Sequence, residues 1–266
     1  MLSFYLYPLG TAIILSLIAG LLSPVVVSKH YAFLGEAISH STLLGLIIAS
    51  YCSTKFQFSS ELANFFITLL ITTLSTFFLA RAERVQRNHD FSDGHIGIFL
   101  TATLTLSFIL YQFLNLKQDL FSLLFGDITL SGKTDFYLAL FLLFIVFAVF
   151  ILFFARWIIY LCDENDSALS KKESSFLHYL LFFLLSISIV SFVRLCGPFL
   201  VNAFLIIPGT YALKKAKGIK NLFIRSVLFS FFATLCGLIF SLYFDFSVGL
   251  SIASCQLIFY IFLCMV

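Results

Sequence analysis

A glutamate and a histidine four residues apart, Glu36 and His40, stand inside an otherwise apolar stretch, Tyr31 to Ser50 (YAFLGEAISHSTLLGLIIAS). Its apolar residues recur at intervals of three and four, and no proline interrupts them, so the stretch predicts a helix. About 20 residues at about 1.5 Å each span roughly 30 Å, the thickness of a bilayer's hydrocarbon core. At this spacing the carboxylate and the imidazole project from one face, a turn apart. An ionisable group at that depth costs about 2.5–3.5 kcal/mol on insertion scales, so its default reading is functional. A carboxylate beside an imidazole makes half of a divalent-metal site, which points to a pore that passes such an ion. The plainer alternative is a glutamate neutralised by the helix dipole and a histidine bonded to a neighbouring helix. Two donors do not saturate a metal, and incomplete coordination suits transit, because a closed site would trap the ion. Ser39 and Ser41 flank the ring and are expected to orient it by hydrogen bonding.

Further ligands are fewer and weaker. His95 opens a later apolar run as an exit-side candidate, with Asp93 read as the cap of that helix. Asn202 offers an amide oxygen, although a helix-bridging hydrogen bond is the competing role. His30 and His89 fall in loops, and His178, near the start of a run, is expected at the membrane interface. The six cysteines form no CxxC pair and read as small hydrophobes without a disulfide framework. Gly126 to Thr134, GDITLSGKT, resembles a phosphate-binding loop. Five residues instead of four separate its glycines, and no strand precedes it. Nucleotide binding by this chain is therefore rejected, and the energy must come from a partner or an ion gradient.

The elements that position these residues are legible in the composition. The 266 residues are 61% hydrophobic and 11% charged, with a mean hydropathy of +1.07. A soluble domain carries about 25% charged residues, so this is a membrane protein with little outside the bilayer. No basic cluster stands apart from an apolar run, so nucleic acid is excluded as a partner. The first basic residue, Lys29, follows the first apolar run, so no cleavable signal is expected.

Apolar runs predict an all-helical chain of about nine spans, forming one transmembrane domain over residues 1–266. They lie near 8–27, 31–51, 61–80, 94–114, 136–161, 176–193, 196–208, 222–244 and 246–266. With the N-terminus outside and the C-terminus inside, twelve of the sixteen Lys and Arg residues fall on the inner side. The outer four are Lys55, Lys117, Lys133 and Arg194. The run at 196–208 is short for a straight crossing, and Asn115 to Asp135 is mixed, so eight spans is the alternative count. The short run is bounded by Gly197-Pro198 and Pro208-Gly209, which suits either a broken helix lining a path or a tilted helix with a proline cap. After it come Lys214, Lys215, Lys217 and Lys220, read as a short cytoplasmic helix that sets topology and suits a lever from a cytoplasmic motor.

Three stretches together resemble the membrane permease subunits of bacterial zinc, manganese and iron ABC importers. They are KHYAFLGEAISHSTLLG (Lys29 to Gly45), LFGDI (Leu124 to Ile128) and GPFLVNAFLIIPGTYA (Gly197 to Ala212). The resemblance implies a helical permease in a dimer of identical or paired chains in the bacterial inner membrane, moving metal inward by alternating access. It implies cytoplasmic ATP-binding subunits, an extracytoplasmic metal-binding protein, no enzymatic activity of the chain itself and no permanently bound cofactor. By the same resemblance Glu36 and His40 are the transient metal site, with glutamate where the family often has aspartate. The stretch from about Gly209 to Asn221 is the coupling helix, with Pro208, Gly209, Lys214, Lys215 and Lys217 as coupling residues. Two rival classes are a polytopic membrane enzyme using the Glu36/His40 pair, which lacks an HExxH motif, and a gradient-driven metal carrier acting alone.

Overall fold

The computed structural model describes residues 2–56, 61–86, 92–114, 131–162 and 169–265, and among them there is no strand. The helices are α1 (Leu2–Ser28), α2 (Ala32–Phe56), α3 (Glu61–Gln86), α4 (Ser92–Leu114) and α5 (Lys133–Leu152). They continue as α6 (Phe154–Cys162), α7 (Lys171–Cys196), α8 (Pro198–Lys215), α9 (Ile219–Phe244) and α10 (Val248–Met265). Seven of them, α1 to α5, α7 and α9, are long and apolar enough to cross a membrane, and α10 is a shorter apolar helix. The stretch LFGDI and most of the segment from Asn115 to Asp135 lie outside the described residues.

Two expected boundaries are corrected. The run read as one span over 136–161 is two helices, broken at Phe153 (φ −108°, ψ 16°) without any proline or glycine to signal it. In a straight helix, residues seven apart are roughly 10 Å apart along the axis. Here the Phe150 and Trp157 rings stack with centroids 5.4 Å apart, and Trp157 and Tyr160 are fully buried. The break thus accompanies the burial of those two aromatics. The run at 196–208 is also redrawn: Gly197, at φ 76°, separates α7 from α8, Pro198 takes the first helical position, and α8 continues through Pro208 to Lys215.

The chain divides into two compact units. The first comprises 1–32, 127–174 and 200–266, and α1 is its post. Ile18, Leu22 and Val25 of α1 are wholly buried. A Cβ on Gly20 would meet Val227 Cα of α9 at 2.7 Å, and Ser230 Oγ donates to the Ser16 carbonyl at 2.8 Å. Small residues set such close helix contacts in lipid, where apolar burial gives no drive. At the end of α1 the Tyr31 N–H returns to the Val26 carbonyl at 2.8 Å around His30, whose φ is 58°.

The second unit comprises 33–126 and 175–199. Gly45 of α2 packs on Thr68 of α3, whose carbonyl would be 3.0 Å from an added Cβ. Helix α3 meets α7 through the Thr73 and Ser186 hydroxyls at 3.3 Å and the stacked Phe77 and Tyr179 rings at 5.3 Å.

Candidate metal-transit site

Helix α2 has the lowest mean hydropathy of the seven long helices, 1.5, yet 72% of its apolar window is buried. That inversion is what a polar passage through lipid requires, because a helix facing hydrocarbon has to be apolar and a helix facing a path does not. Glu36 is half-buried and His40 is buried, 8% exposed, one turn further along.

The serines do not orient the ring, contrary to the sequence-based expectation. Ser39 Oγ donates to the Glu36 carbonyl at 2.8 Å, and Ser41 Oγ donates to the Ile38 carbonyl at 2.8 Å. Thr42 Oγ1 also returns to Ile38, at 3.0 Å. Short hydroxyl side chains in a helix can satisfy themselves on the preceding turn, and these three do. His40 Nδ1 is thereby left buried with no hydrogen-bond partner. Buried polar atoms are nearly always bonded, so a buried ring nitrogen without a partner, one turn from a carboxylate, calls for an explanation. An imidazole nitrogen and a carboxylate oxygen suit zinc, iron or manganese.

Depth can be read from register. Helices α2 and α3 are joined by only four residues, 57–60, and so run antiparallel. Five residues from the Gly45–Thr68 contact, His40 is level with Thr73. Thr72 Oγ1 and, on α7 beside the Ser186 contact, Ser188 Oγ are also buried without partners. These three atoms lie near one depth, whereas Asn64 Oδ1 of α3, also buried without a partner, lies nine residues from Thr73.

The remaining candidates separate. His95 is half-buried on α4 and already engaged in an interaction. Asp93 falls inside α4, one residue after its start at Ser92. Asn202 belongs to α8, where its Oδ1 is buried without a partner. His30 is exposed, and His89 lies outside the described residues. No cluster of three or more His, Cys, Asp or Glu side chains occurs among the described residues. Lys214 and Lys215 end α8 itself, Lys217 lies in the link and Lys220 in the first turn of α9, so no separate short helix carries the cluster.

His178 is buried, 1% exposed, its Nε2 3.0 Å from the Ala80 carbonyl and 3.3 Å from Glu83 Oε2. Helix α3 runs on past Ala80, where its apolar run ends, to Gln86, bringing Glu83 into contact with α7. The two residues are 95 positions apart, so no spacing rule could pair them.

The family model for the ABC 3 transport family matches residues 1–266. The chain belongs to that family. Among its relatives is a manganese transport system membrane protein, MntC, of Halalkalibacterium halodurans, 28% identical over 92% of this chain and 80% of the relative. A probable iron transport system membrane protein of Haemophilus influenzae is 26% identical over 94% of this chain and 89% of its own length. The zinc uptake protein ZnuB of the same organism is 26% identical over 94% and 93%. Among solved structures, a chain of PsaBC from Streptococcus pneumoniae in complex with Fab superposes with a TM-score of 0.80 at 26% identity. That match covers 98% of this chain and 90% of the other. An inward-facing metal-chelate type ABC transporter shares the fold, with a TM-score of 0.59 at 17% identity. This family member is accordingly a multi-pass membrane permease.

Proposed function

We propose that this permease is the pore-forming subunit of an ATP-driven importer for a divalent transition metal, zinc, manganese or iron. The observation that carries the reading is the buried, unpartnered His40 Nδ1 one turn from Glu36 on the least apolar long helix. The relatives named for manganese, iron and zinc transport support the same ion class. Glu36 and His40 hold the ion transiently, and Asn202 and His95 are further candidate donors elsewhere on the route. Residues 1–266 act as one translocation domain that alternates between outward and inward access.

Nine crossings follow if α8 and α10 join the seven long helices, with the N-terminus outside and the C-terminus inside the bacterial inner membrane. Lys214, Lys215 and Lys217 then lie on the cytoplasmic side, where an ATP-binding subunit engages the segment after Pro208-Gly209. A second permease chain and an extracytoplasmic metal-binding protein complete the complex. Metal uptake by cells carrying Glu36→Ala with His40→Ala tests the reading. Uptake is expected to fall to background at normal protein level, and wild-type uptake removes the pair from the path. Transport by the purified chain alone in ATP-free liposomes would instead identify a gradient-driven carrier.

A further inference from the structure

Helix α1 holds two interior prolines, Pro8 and Pro24, and α8 holds one, Pro208. Proline removes a donor and its ring crowds the carbonyl four residues earlier, so each marks the point where its helix bends most easily. The structure joins the points at Pro24 and Pro208. The Gly209 N–H, next to Pro208, donates to Ser23 Oγ, next to Pro24, at 2.6 Å. Ser23 is fully buried, and a Cβ on residue 209 would lie 2.5 Å from the Ser23 carbonyl oxygen, so only glycine admits this approach. Helix α1 is held against α9 one and two turns before the contact, by Gly20 against Val227 and by the Ser16 carbonyl accepting from Ser230. One arm of α8 runs six residues from Gly209 to Lys215, and the other runs seven back to Asn202, roughly 9 and 10 Å.

We propose that Ser23 is the fulcrum of the coupling segment. Its hydroxyl holds the weak point of α8 against the fixed post α1. Movement of the Lys214–Lys215 end is then carried to the Asn202 arm and is not lost as a local bend at Pro208. This rests on the coupling role assigned to that segment under Proposed function, and it makes Ser23 a positioning residue that touches no ion.

The test uses the intact permease–ATPase complex in liposomes, measuring metal imported per ATP hydrolysed with manganese as the probe. For Ser23→Ala the complex is expected to assemble and hydrolyse ATP at the wild-type rate. Metal moved per ATP should fall about three- to tenfold, the factor equivalent to one net hydrogen bond. Ser23→Cys, which retains a weak acceptor, should fall between the two, and it is read in the same way if Ser23→Ala fails to assemble. An unchanged ratio, or hydrolysis and transport falling in equal proportion, overturns the proposal. Lys214→Ala with Lys215→Ala and Lys217→Ala separates the two levels. If hydrolysis and transport stay at wild type in that variant, the coupling segment itself has been misassigned. If they fall while Ser23→Ala is silent, only the fulcrum is wrong.

Discussion

The second unit contains two pairs of a glutamate and a histidine, and they have opposite characters. Glu36 and His40 sit on one helix, a turn apart, with the imidazole Nδ1 buried and unbonded. Glu83 and His178 come from two helices, and the ring nitrogen there is engaged by the Ala80 carbonyl and faces the Glu83 carboxylate. A buried polar group that has partners ties a fold together, whereas one that lacks them carries a desolvation cost that a ligand can relieve. On the proposed function, identical residue types give a clasp in one place and a landing position for the ion in the other. Satisfaction of the ring nitrogen, more than residue identity or depth, separates the roles.

Exchanging the damage between the pairs breaks the comparison most sharply. His40→Ala should abolish metal uptake while leaving the melting temperature of the solubilised protein near wild type. His178→Ala should do the reverse. It leaves the Glu83 carboxylate buried without its imidazole, a cost of about 1–3 kcal/mol. Melting of the purified variant should fall, with uptake per folded molecule largely retained. If His178→Ala stopped transport in fully folded protein, the second pair would belong to the path and the distinction would fail. The smallest effect is expected at Ser39→Ala and Ser41→Ala. Both hydroxyls bond the preceding turn, so uptake should stay within about twofold of wild type. A large loss would restore them as supports of the imidazole.

The sequence made the first pair visible because a helix places residues four apart on one face, and that rule needs no tertiary information. It hid the second, because Glu83 and His178 meet only when α3 continues past its apolar run and packs on α7. The helix break at Phe153 was hidden for the same reason. Nothing local marks it, and it accompanies the stacking of Trp157 on Phe150. The chain's helical, membrane-crossing class was plain from hydropathy, and α2 stands out as the least apolar of the seven long helices. The run from Gly197 to Pro208 misled in one detail. Pro208 reads as a stop, yet α8 passes through it, with the Gly209 N–H directed to Ser23 instead of being left unmet.

The most direct measurement is the position of bound metal in the assembled importer. Anomalous scattering from manganese or zinc in wild-type crystals should place an ion about 2.0–2.2 Å from both the His40 imidazole and the Glu36 carboxylate. That peak should vanish in His40→Ala and persist in His178→Ala. An ion seated between Glu83 and His178, or a peak unaffected by loss of His40, would contradict the assignment of α2 as the helix on which the metal pauses.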